Sequence, residues 1–166
     1  MGGVSQRLSD GKRNFFVAPA VATAAAGAQG GVGLATFSSI GHEAPTTLPT
    51  SIVVGGRAIF RHLRGFVPGG LLVGCIYMPL RHRKPNRDEC DAVLREMGNF
   101  LASVKRPFVV VGDWNATPGD LGNRGLPSRL QATAVCGDER TCATNAPTGL
   151  VVRCLGYVLV SDVLVP

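Results

Sequence analysis

Apolar residues in this chain are concentrated in short runs, a pattern that predicts a fold rich in buried β-strands. The run from Leu71 to Tyr77 is almost wholly apolar, and Phe108 to Val111 forms a second run that is closed by Gly112. Runs of this length without polar alternation are typical of strands that are covered on both faces. Further strand candidates are 15–18, 31–37, 52–61 with an interruption at Gly55-Gly56, 129–135, 150–153 and 157–160.

One segment between the two strongest strands has the spacing of an amphipathic helix. Apolar side chains recur every three or four residues from Cys90 to Val104, and charged side chains occupy the positions between them. Asn86 is the predicted N-cap, because Glu89 follows it at the spacing of a capping box. Lys105-Arg106-Pro107 predicts the end of the helix. Two strands joined by a helix can be parallel neighbours, and the order of elements favours an α/β sandwich.

The composition indicates one folded domain. The chain has 166 residues, of which 45% are hydrophobic and 17% charged, which excludes disorder over its whole length. Residues 1–13 are polar and without periodicity, so we expect a poorly ordered N-terminal segment followed by a single domain over 14–166. No apolar run approaches the length of a membrane span. The sequence therefore predicts no membrane association.

Charge and cysteine content indicate the partner and the compartment. The net charge is +6, which suits a polyanion such as nucleic acid, and nothing indicates a stable protein partner. The five cysteines form no Cys-x-x-Cys pair, so we expect reduced thiols and an intracellular location, nuclear or cytoplasmic. The alternative is secretion, because Lys12 and Arg13 precede an apolar stretch and an Ala-x-Ala-like site ending at Ala28.

The most specific chemical feature is the pair of side chains that follows the strand 108–111. Asp113 and Asn115 are separated by one residue, so strand alternation would place both on one face and Trp114 on the other. A carboxylate beside a carboxamide can orient a nucleophilic water and hold a phosphate or a hard cation. The alternative interpretation is a strand followed by an Asx turn, since Asn115 and Pro118 are common turn residues.

The residues taken together resemble a known family. Gly112-Asp113-Trp114-Asn115 after a Val-rich strand is similar to the Gly-Asp-Phe-Asn signature of the endonuclease/exonuclease/phosphatase superfamily, which includes DNase I-like nucleases, abasic-site endonucleases and non-LTR retrotransposon endonuclease domains. Gly30–Ala35 is similar to the family's Gly-Gly-Val strand, Gly74–Pro79 to its Tyr-x-Pro strand end, and Gly156–Ser161 to its later Asp-Tyr strand. The resemblance covers residues 14–166. It implies a DNase I-like α/β sandwich, two packed sheets flanked by helices, that is incomplete at both ends.

The resemblance also implies roles for individual residues in metal-assisted phosphodiester hydrolysis. Asp113 would orient or deprotonate the attacking water, and Asn115 would hold a phosphate oxygen and help to place the metal. Tyr77 would donate a hydrogen bond to the scissile phosphate. The implied cofactor is Mg²⁺ or Mn²⁺, with Asp113 and Asn115 as the metal-contacting residues. Such chemistry is sensible because a phosphodiester is anionic and resists attack until its charge is offset.

Three expected elements of the family pattern are missing. No Gln-Glu strand end precedes the Gly-Gly-Val strand, and Glu43 follows that strand instead. Gly156 stands where the family has an Asp before Tyr157, and no closing Ser-Asp-His occurs in the chain. We therefore expect the metal to be held weakly if at all, because Mg²⁺ needs carboxylate ligands in near-octahedral geometry. Loss of groups that act together typically costs orders of magnitude in rate.

The chain has two basic stretches, and the first is a candidate for contact with nucleic acid. The first follows Tyr77-Met78-Pro79, where the family has a loop beside the active site, and comprises Arg81, Arg83, Lys84 and Arg87. Cations at this density can neutralise several phosphates and give salt-dependent binding. The alternative is a charged loop that faces only solvent. The second stretch comprises Arg57, Arg61, His62 and Arg64.

The function that we expect is that of a metal-dependent phosphodiester hydrolase of the nuclease type, with weak or no activity as a fragment. A retrotransposon-type endonuclease remnant is a consistent origin. The alternatives are a catalytically dead module that binds nucleic acid or protein, a phosphatase acting on a small phosphorylated substrate, and a truncated gene product without independent function.

Overall fold

A computed structural model describes residues 6–22, 28–45, 56–79, 84–137, 141–146 and 149–166 of the protein. The strands in these segments are β1 (Gln6–Ser9), β2 (Arg13–Ala18), β3 (Val21–Ala22), β4 (Ala28–Gln29), β5 (Val32–Phe37), β6 (His42–Glu43), β7 (Ala58–Leu63), β8 (Leu71–Tyr77), β9 (Phe108–Asp113), β10 (Ala132–Val135), β11 (Cys142–Ala146), β12 (Gly149–Arg153) and β13 (Gly156–Ser161). The helices are α1 (Lys84–Val104), α2 (Pro118–Asn123) and α3 (Leu126–Leu130), and a 3₁₀ turn follows at Asp162–Leu164.

The strands form one large and one small sheet, with two additional two-stranded pairs. The large sheet has six strands in the order β10-β13-β9-β8-β7-β6, and the small sheet has three in the order β1-β2-β5. Strands β8 and β9 are parallel and are connected through α1, which confirms that the helix joins parallel neighbours. The other neighbours in the large sheet pair antiparallel.

The large sheet is covered on both faces, as the uninterrupted apolar runs predicted. On one face, Phe60 of β7 packs edge-to-face on Phe100 of α1, with ring centroids 5.0 Å apart. The core on this side includes Met97 and the buried residues of β8 and β9. On the other face, Ile59 packs with Phe16 of the small sheet. Burial of each such side chain contributes about 1.5–3 kcal/mol. The architecture is the expected α/β sandwich.

Several elements differ from those that the sequence predicted. Helix α1 begins at Lys84, so Asn86 lies inside the helix and the prediction that it caps the helix is wrong. The sequence analysis predicts no helix after Pro107, but residues 118–130 contain α2 and α3. Strand β1 lies in the segment that was expected to be poorly ordered. The domain boundary at residue 14 stays a prediction.

Parts of some predictions fall outside the described residues. The strand predicted over 52–61 appears as β7, which begins at Ala58 and ends at Leu63, while 52–55 are not described. Residues 23–27, in the stretch that resembles a signal peptide, are also not described. Within the described segments, no helix is both long enough and apolar enough to cross a membrane.

Candidate active site

Tyr77 and Asp113 are direct neighbours at one edge of the large sheet. They are the last residues of the parallel strands β8 and β9 and are register partners. Paired residues of neighbouring strands share a face, so both half-buried side chains lie on the same side of the sheet. A Cβ at Gly112 would overlap the carbonyl oxygen of Ile76, so the close approach of the two strands requires glycine there. Strand pairing and the glycine at position 112 therefore place the Tyr77 side chain beside the Asp113 carboxylate.

Asn115 is held next to this pair by its backbone conformation. Its φ of 45° lies in the left-handed region, which asparagine tolerates better than most residues. Its Nδ2 donates to the carbonyl of Met78 at 2.6 Å, and its backbone N–H donates to Asp113 Oδ1 at 3.0 Å. The amide nitrogen is thus engaged, and the carboxamide oxygen is the atom through which Asn115 can hold a ligand. The Asx turn that was the alternative interpretation is present, with the Asp113 carboxylate as its acceptor, and a common role for the Asp113 and Asn115 side chains stays a prediction.

Trp114 anchors the site from the opposite side of the backbone. It is fully buried, as strand alternation predicted, and its ring stacks on Tyr157. Its Nε1 donates to the carbonyl of Tyr157 at 3.1 Å, and its backbone N–H donates to the carbonyl of Leu155 at 2.8 Å. Two hydrogen bonds and a ring contact therefore fix the residue between Asp113 and Asn115. A buried aromatic residue thus fixes the backbone between the two polar side chains.

Arg57 is a buried cation beside Tyr77 that the sequence analysis placed only in a basic stretch. It is 6% exposed, and its guanidinium carbon lies 5.9 Å from the centre of the Tyr77 ring. Its Nε donates to Glu89 Oε1 at 2.8 Å, whereas its buried Nη1 has no hydrogen-bond partner among the described residues. A buried guanidinium nitrogen without a partner is costly and points to a missing anionic or polar ligand. The indication in the sequence was the spacing of Arg57 and Arg61, which lets both side chains lie on one face of a strand.

The rest of the second basic stretch does not form an open cationic surface. Arg61 is buried between the two sheets, with its guanidinium carbon 4.4 Å from the centre of the Phe16 ring. Burial lowers the pKa of Arg61. His62 is largely buried, and Arg64 bonds Glu43 at 2.6 Å. Of these residues, Arg57 is the one that borders the candidate site.

Gly156 occupies the strand position directly opposite Asp113 on the side away from Tyr77. It begins β13 and is the register partner of Asp113. Its backbone N–H donates to Thr141 Oγ1 at 2.8 Å, as does that of Leu155. A Cβ at this position would make ordinary contacts with Thr141 at 3.7 Å. The position where the resembled family carries an Asp is thus adjacent to Asp113, and here it supplies no side chain.

The structure describes the first basic stretch only in part. Arg81 and Arg83 lie outside the described residues, and Lys84 begins α1 with its side chain outside the described part. Arg87 lies in the first turns of α1 and is exposed. Because β8 ends at Tyr77 and α1 begins at Lys84, the stretch connects to the same sheet edge as the candidate site. Its role in binding nucleic acid stays a prediction.

The described side chains fall short of a complete Mg²⁺ site. Over the segments that the structure describes, no group of three or more His, Cys, Asp and Glu residues is placed to hold a metal ion. Asp113 and Asn115 supply one carboxylate and one carboxamide oxygen. Mg²⁺ needs octahedral oxygen ligation, usually through carboxylates and substrate phosphates. The residues present fit part of such a site.

Comparison with solved structures identifies the fold. The chain superposes on the endonuclease domain of TRAS1, a telomere-specific non-LTR retrotransposon, with a TM-score of 0.57 and 14% identity over 90% of this chain and 68% of that one. It also superposes on the 3'-5' exonuclease NExo from Neisseria meningitidis, with a TM-score of 0.58 and 15% identity over 81% of this chain and 63% of that one. No protein-family model matches the chain, and no curated protein matches its sequence.

These likenesses confirm the DNase I-like fold that the sequence motifs predicted. At this level of identity they establish the fold and leave the activity to be argued from the site. The chain spans about two thirds of the length of the two structures it resembles.

Proposed function

We propose that this protein is a phosphodiester hydrolase of the nuclease type that retains the phosphate-binding half of its active site and has weak activity at most. The observation that carries the proposal is the pairing of Tyr77 with Asp113 at the ends of two parallel strands. Asn115 and the buried Arg57 lie beside that pair. Two hydrogen-bonding groups, a carboxylate and a cation on one sheet edge suit an anionic diester.

Each of the four groups has a distinct part in the proposed chemistry. The Tyr77 hydroxyl donates a hydrogen bond to a non-bridging phosphate oxygen. The Arg57 guanidinium, which has a buried N–H without a partner, offsets phosphate charge. The Asp113 carboxylate accepts a proton from the attacking water and orients it toward phosphorus. The Asn115 carboxamide is fixed by its hydrogen bond to the Met78 carbonyl and keeps the bound phosphate aligned with Asp113.

The metal is the weakest part of the proposed site. Mg²⁺ or Mn²⁺ would supply charge neutralisation at the phosphate, but Asp113 and Asn115 alone would hold it weakly. We therefore assign no catalytic step to it. Without the second carboxylate and an imidazole, proton delivery to the leaving oxygen has no identified donor among the described residues. Low activity follows from this deficit.

Nucleic acid is the proposed substrate class. The net charge of +6 and the exposed Arg87 near the start of α1 favour a polyanion over a small phosphorylated metabolite. In the sequence, the basic segment 80–83 lies between the end of β8 and the start of α1. A long anionic strand could contact these cations while one phosphate occupies the site at Tyr77 and Asp113.

The decisive experiment measures cleavage of supercoiled plasmid and of an abasic-site duplex with Mg²⁺ or Mn²⁺, using protein that melts cooperatively. We expect slow cleavage that is lost in Asp113→Asn and reduced in Tyr77→Phe. Asp162→Asn is the matched control, because Asp162 is an exposed carboxylate just after the far end of β13 that bonds Thr133. Cleavage that is equally fast in Asp113→Asn would refute the assignment of this site.

A second candidate function is nucleic-acid binding without catalysis, and the incomplete set of metal ligands favours it. Binding of a labelled oligonucleotide in the presence of a chelator would then be as tight as with Mg²⁺, and unaffected by Asp113→Asn. Affinity should fall steeply with salt, because phosphate contacts release counterions. Replacement of Arg81, Arg83 and Arg87 by Gln would weaken this binding, whereas Arg13→Gln at the distant start of β2 would leave it nearly unchanged.

A further inference from the structure

We propose that Cys136 and Cys154 are a redox site that forms a reversible disulfide. The two Sγ atoms lie 2.7 Å apart, and the Cys154 thiol donates its hydrogen to Cys136. This separation is well inside the sum of two sulfur van der Waals radii. Both residues are free cysteines in this structure. Their sulfur atoms are therefore close enough to form a bond but are not yet bonded.

The pair is held together by the large sheet. Cys136 directly follows β10, and Cys154 lies just before β13, which is the antiparallel neighbour of β10. The Cys154 thiol also lies 3.6 Å from the carbonyl oxygen of Gly156. Pairing of β10 with β13 therefore brings the segments that carry the two thiols together at one end of the two strands. Both side chains are half-buried, which leaves them within reach of a small oxidant.

The geometry favours a disulfide over a shared metal ion. Two thiolates on one Zn²⁺ at about 2.3 Å each, in tetrahedral geometry, lie about 3.7 Å apart. The observed sulfur atoms are much closer. Among the described residues, no third His, Cys, Asp or Glu completes a metal-binding group around them. The pair thus has the proximity that S–S bond formation needs and lacks the ligand set that a metal needs.

The oxidation can be written with a small disulfide, such as glutathione disulfide, as the oxidant. Burial and the neighbouring Cys154 raise the pKa of Cys136 to about 11. The thiolate of one cysteine of the pair attacks one glutathione sulfur, and the other glutathione leaves and takes up a proton to become a thiol. The second cysteine then loses its proton, attacks the sulfur of the first and releases the second glutathione. Two protein thiols are oxidised, and one disulfide is reduced to two thiols.

The cross-link would stabilise the region behind the candidate site. It would tie the end of β10 to the segment whose Leu155 carbonyl accepts from the Trp114 backbone at 2.8 Å. It would also close the connection that carries β11 and β12. Restricting a loop of this size in the unfolded chain should raise Tm by roughly 5–10 °C in a domain of this length.

The test uses the full chain and counts its thiols by alkylation and mass spectrometry. The reduced protein should contain five alkylatable thiols and the protein treated with glutathione disulfide should contain three, with a peptide cross-link between Cys136 and Cys154. Dithiothreitol should restore five. The treated protein should melt at the higher temperature. None of these measurements requires catalysis, so the outcome is independent of the proposed function.

Variants make the inference falsifiable. Cys154→Ser should abolish both the cross-link and the rise in Tm, whereas Cys142→Ser should leave both unchanged. Cys142 is the control because it pairs with Arg153 in β12 and is thus close to Cys154 along the strand. Five free thiols after treatment, a stable glutathione adduct on Cys154 alone, or a cross-link through Cys142 would each overturn the proposal.

Discussion

The ring of Trp114 lies parallel to that of Tyr157, with 5.4 Å between their centroids and 9° between their planes. The stack joins the end of β9 to the start of β13 directly behind the pair formed by Asp113 and Asn115. The Tyr157 hydroxyl is buried and has no hydrogen-bond partner among the described residues. Burial, with smaller contributions from Cys136 and Cys154, raises its pKa.

Tyr157→Phe should therefore stabilise the protein. The substitution keeps the ring stack and removes a buried hydroxyl that lacks a partner, so the free energy of unfolding should rise by about 1 kcal/mol. Urea unfolding measures the change. Tyr77→Phe is the control, because it removes the same atom from a half-buried ring and should change stability little. A loss of stability in Tyr157→Phe would show that its hydroxyl is hydrogen-bonded in solution.

Gly112→Ala should destabilise the fold by about 3 kcal/mol or more. The new methyl group would overlap the backbone carbonyl of Ile76, which belongs to the central strand β8 and cannot move aside easily. Thermal or urea unfolding would reveal the loss. Gly122→Ala in α2 is the matched control, since nothing lies within 4 Å of its added Cβ. Equal stability of the two variants would contradict the close approach of β8 and β9.

Gly156→Asp should strengthen divalent-metal binding. The new Cβ fits against Thr141 at 3.7 Å, and the carboxylate would stand in the strand position next to Asp113. Two adjacent carboxylates repel each other, and a bound cation relieves that repulsion. We expect Mn²⁺ affinity to increase about tenfold or more, measured by calorimetry or by the Mn²⁺-dependent rise in Tm.

Gly156→Asn is the isosteric control for that experiment, because it adds nearly the same volume without the charge. If Asp and Asn at this position give the same metal affinity, Asp113 does not face the site in the way that the strand register indicates.

Stability should decrease as the pH falls below about 6.5. Burial lowers the pKa of both His42 and His62 from their usual 6.5; nearby arginines add to this, and Glu43 only partly opposes it at His62. Below that value the unfolded chain binds more protons at these positions than the folded chain does, so protonation favours unfolding. Urea unfolding between about pH 7.5 and 5.5 measures the slope.

His62→Gln should make that slope shallower. The carboxyl groups with lowered pKa, Asp10 and Glu43, act in a separate window, below their usual values of 3.8 and 4.5. A protein that is equally stable at both ends of the histidine range would contradict the buried environment of these two rings.

The sequence predicted the centre of the fold well and its periphery poorly. Strand β8 matches its predicted bounds, and α1 and β9 match closely, because these elements are buried and their apolar patterns are unmistakable. Helix α2 was missed although it has a recognisable start: Thr117 caps it through Asp120, with Pro118 in the first turn. A six-residue helix has too few buried positions for periodicity to reveal it.

The candidate site also contains some residues that the sequence indicated and one whose position it did not indicate. Tyr77, Asp113 and Asn115 were proposed from the sequence because they lie at the ends of strongly predicted strands or within a few residues of them, and their roles stay predictions. Arg57 was predicted only as part of a basic stretch, and its burial depends on partners that are distant in sequence, Tyr77 and Glu89. Spacing along the chain cannot reveal such a partner.

The crossover from β8 through α1 to β9 also has a consequence for the kinetics of folding. Tyr77 and Asp113 become neighbours as soon as this one unit docks, and the 21-residue helix α1 spans most of the chain between them. The contact of Asp113 with Gly156 closes a loop of similar length that contains only short helices and strands among its described residues. A helix that has already formed leaves less flexible chain to be closed, which lowers the entropic cost of the contact that it connects. The tyrosine–carboxylate pair should thus assemble with the folding nucleus, while β13 adds the other side of the site afterwards.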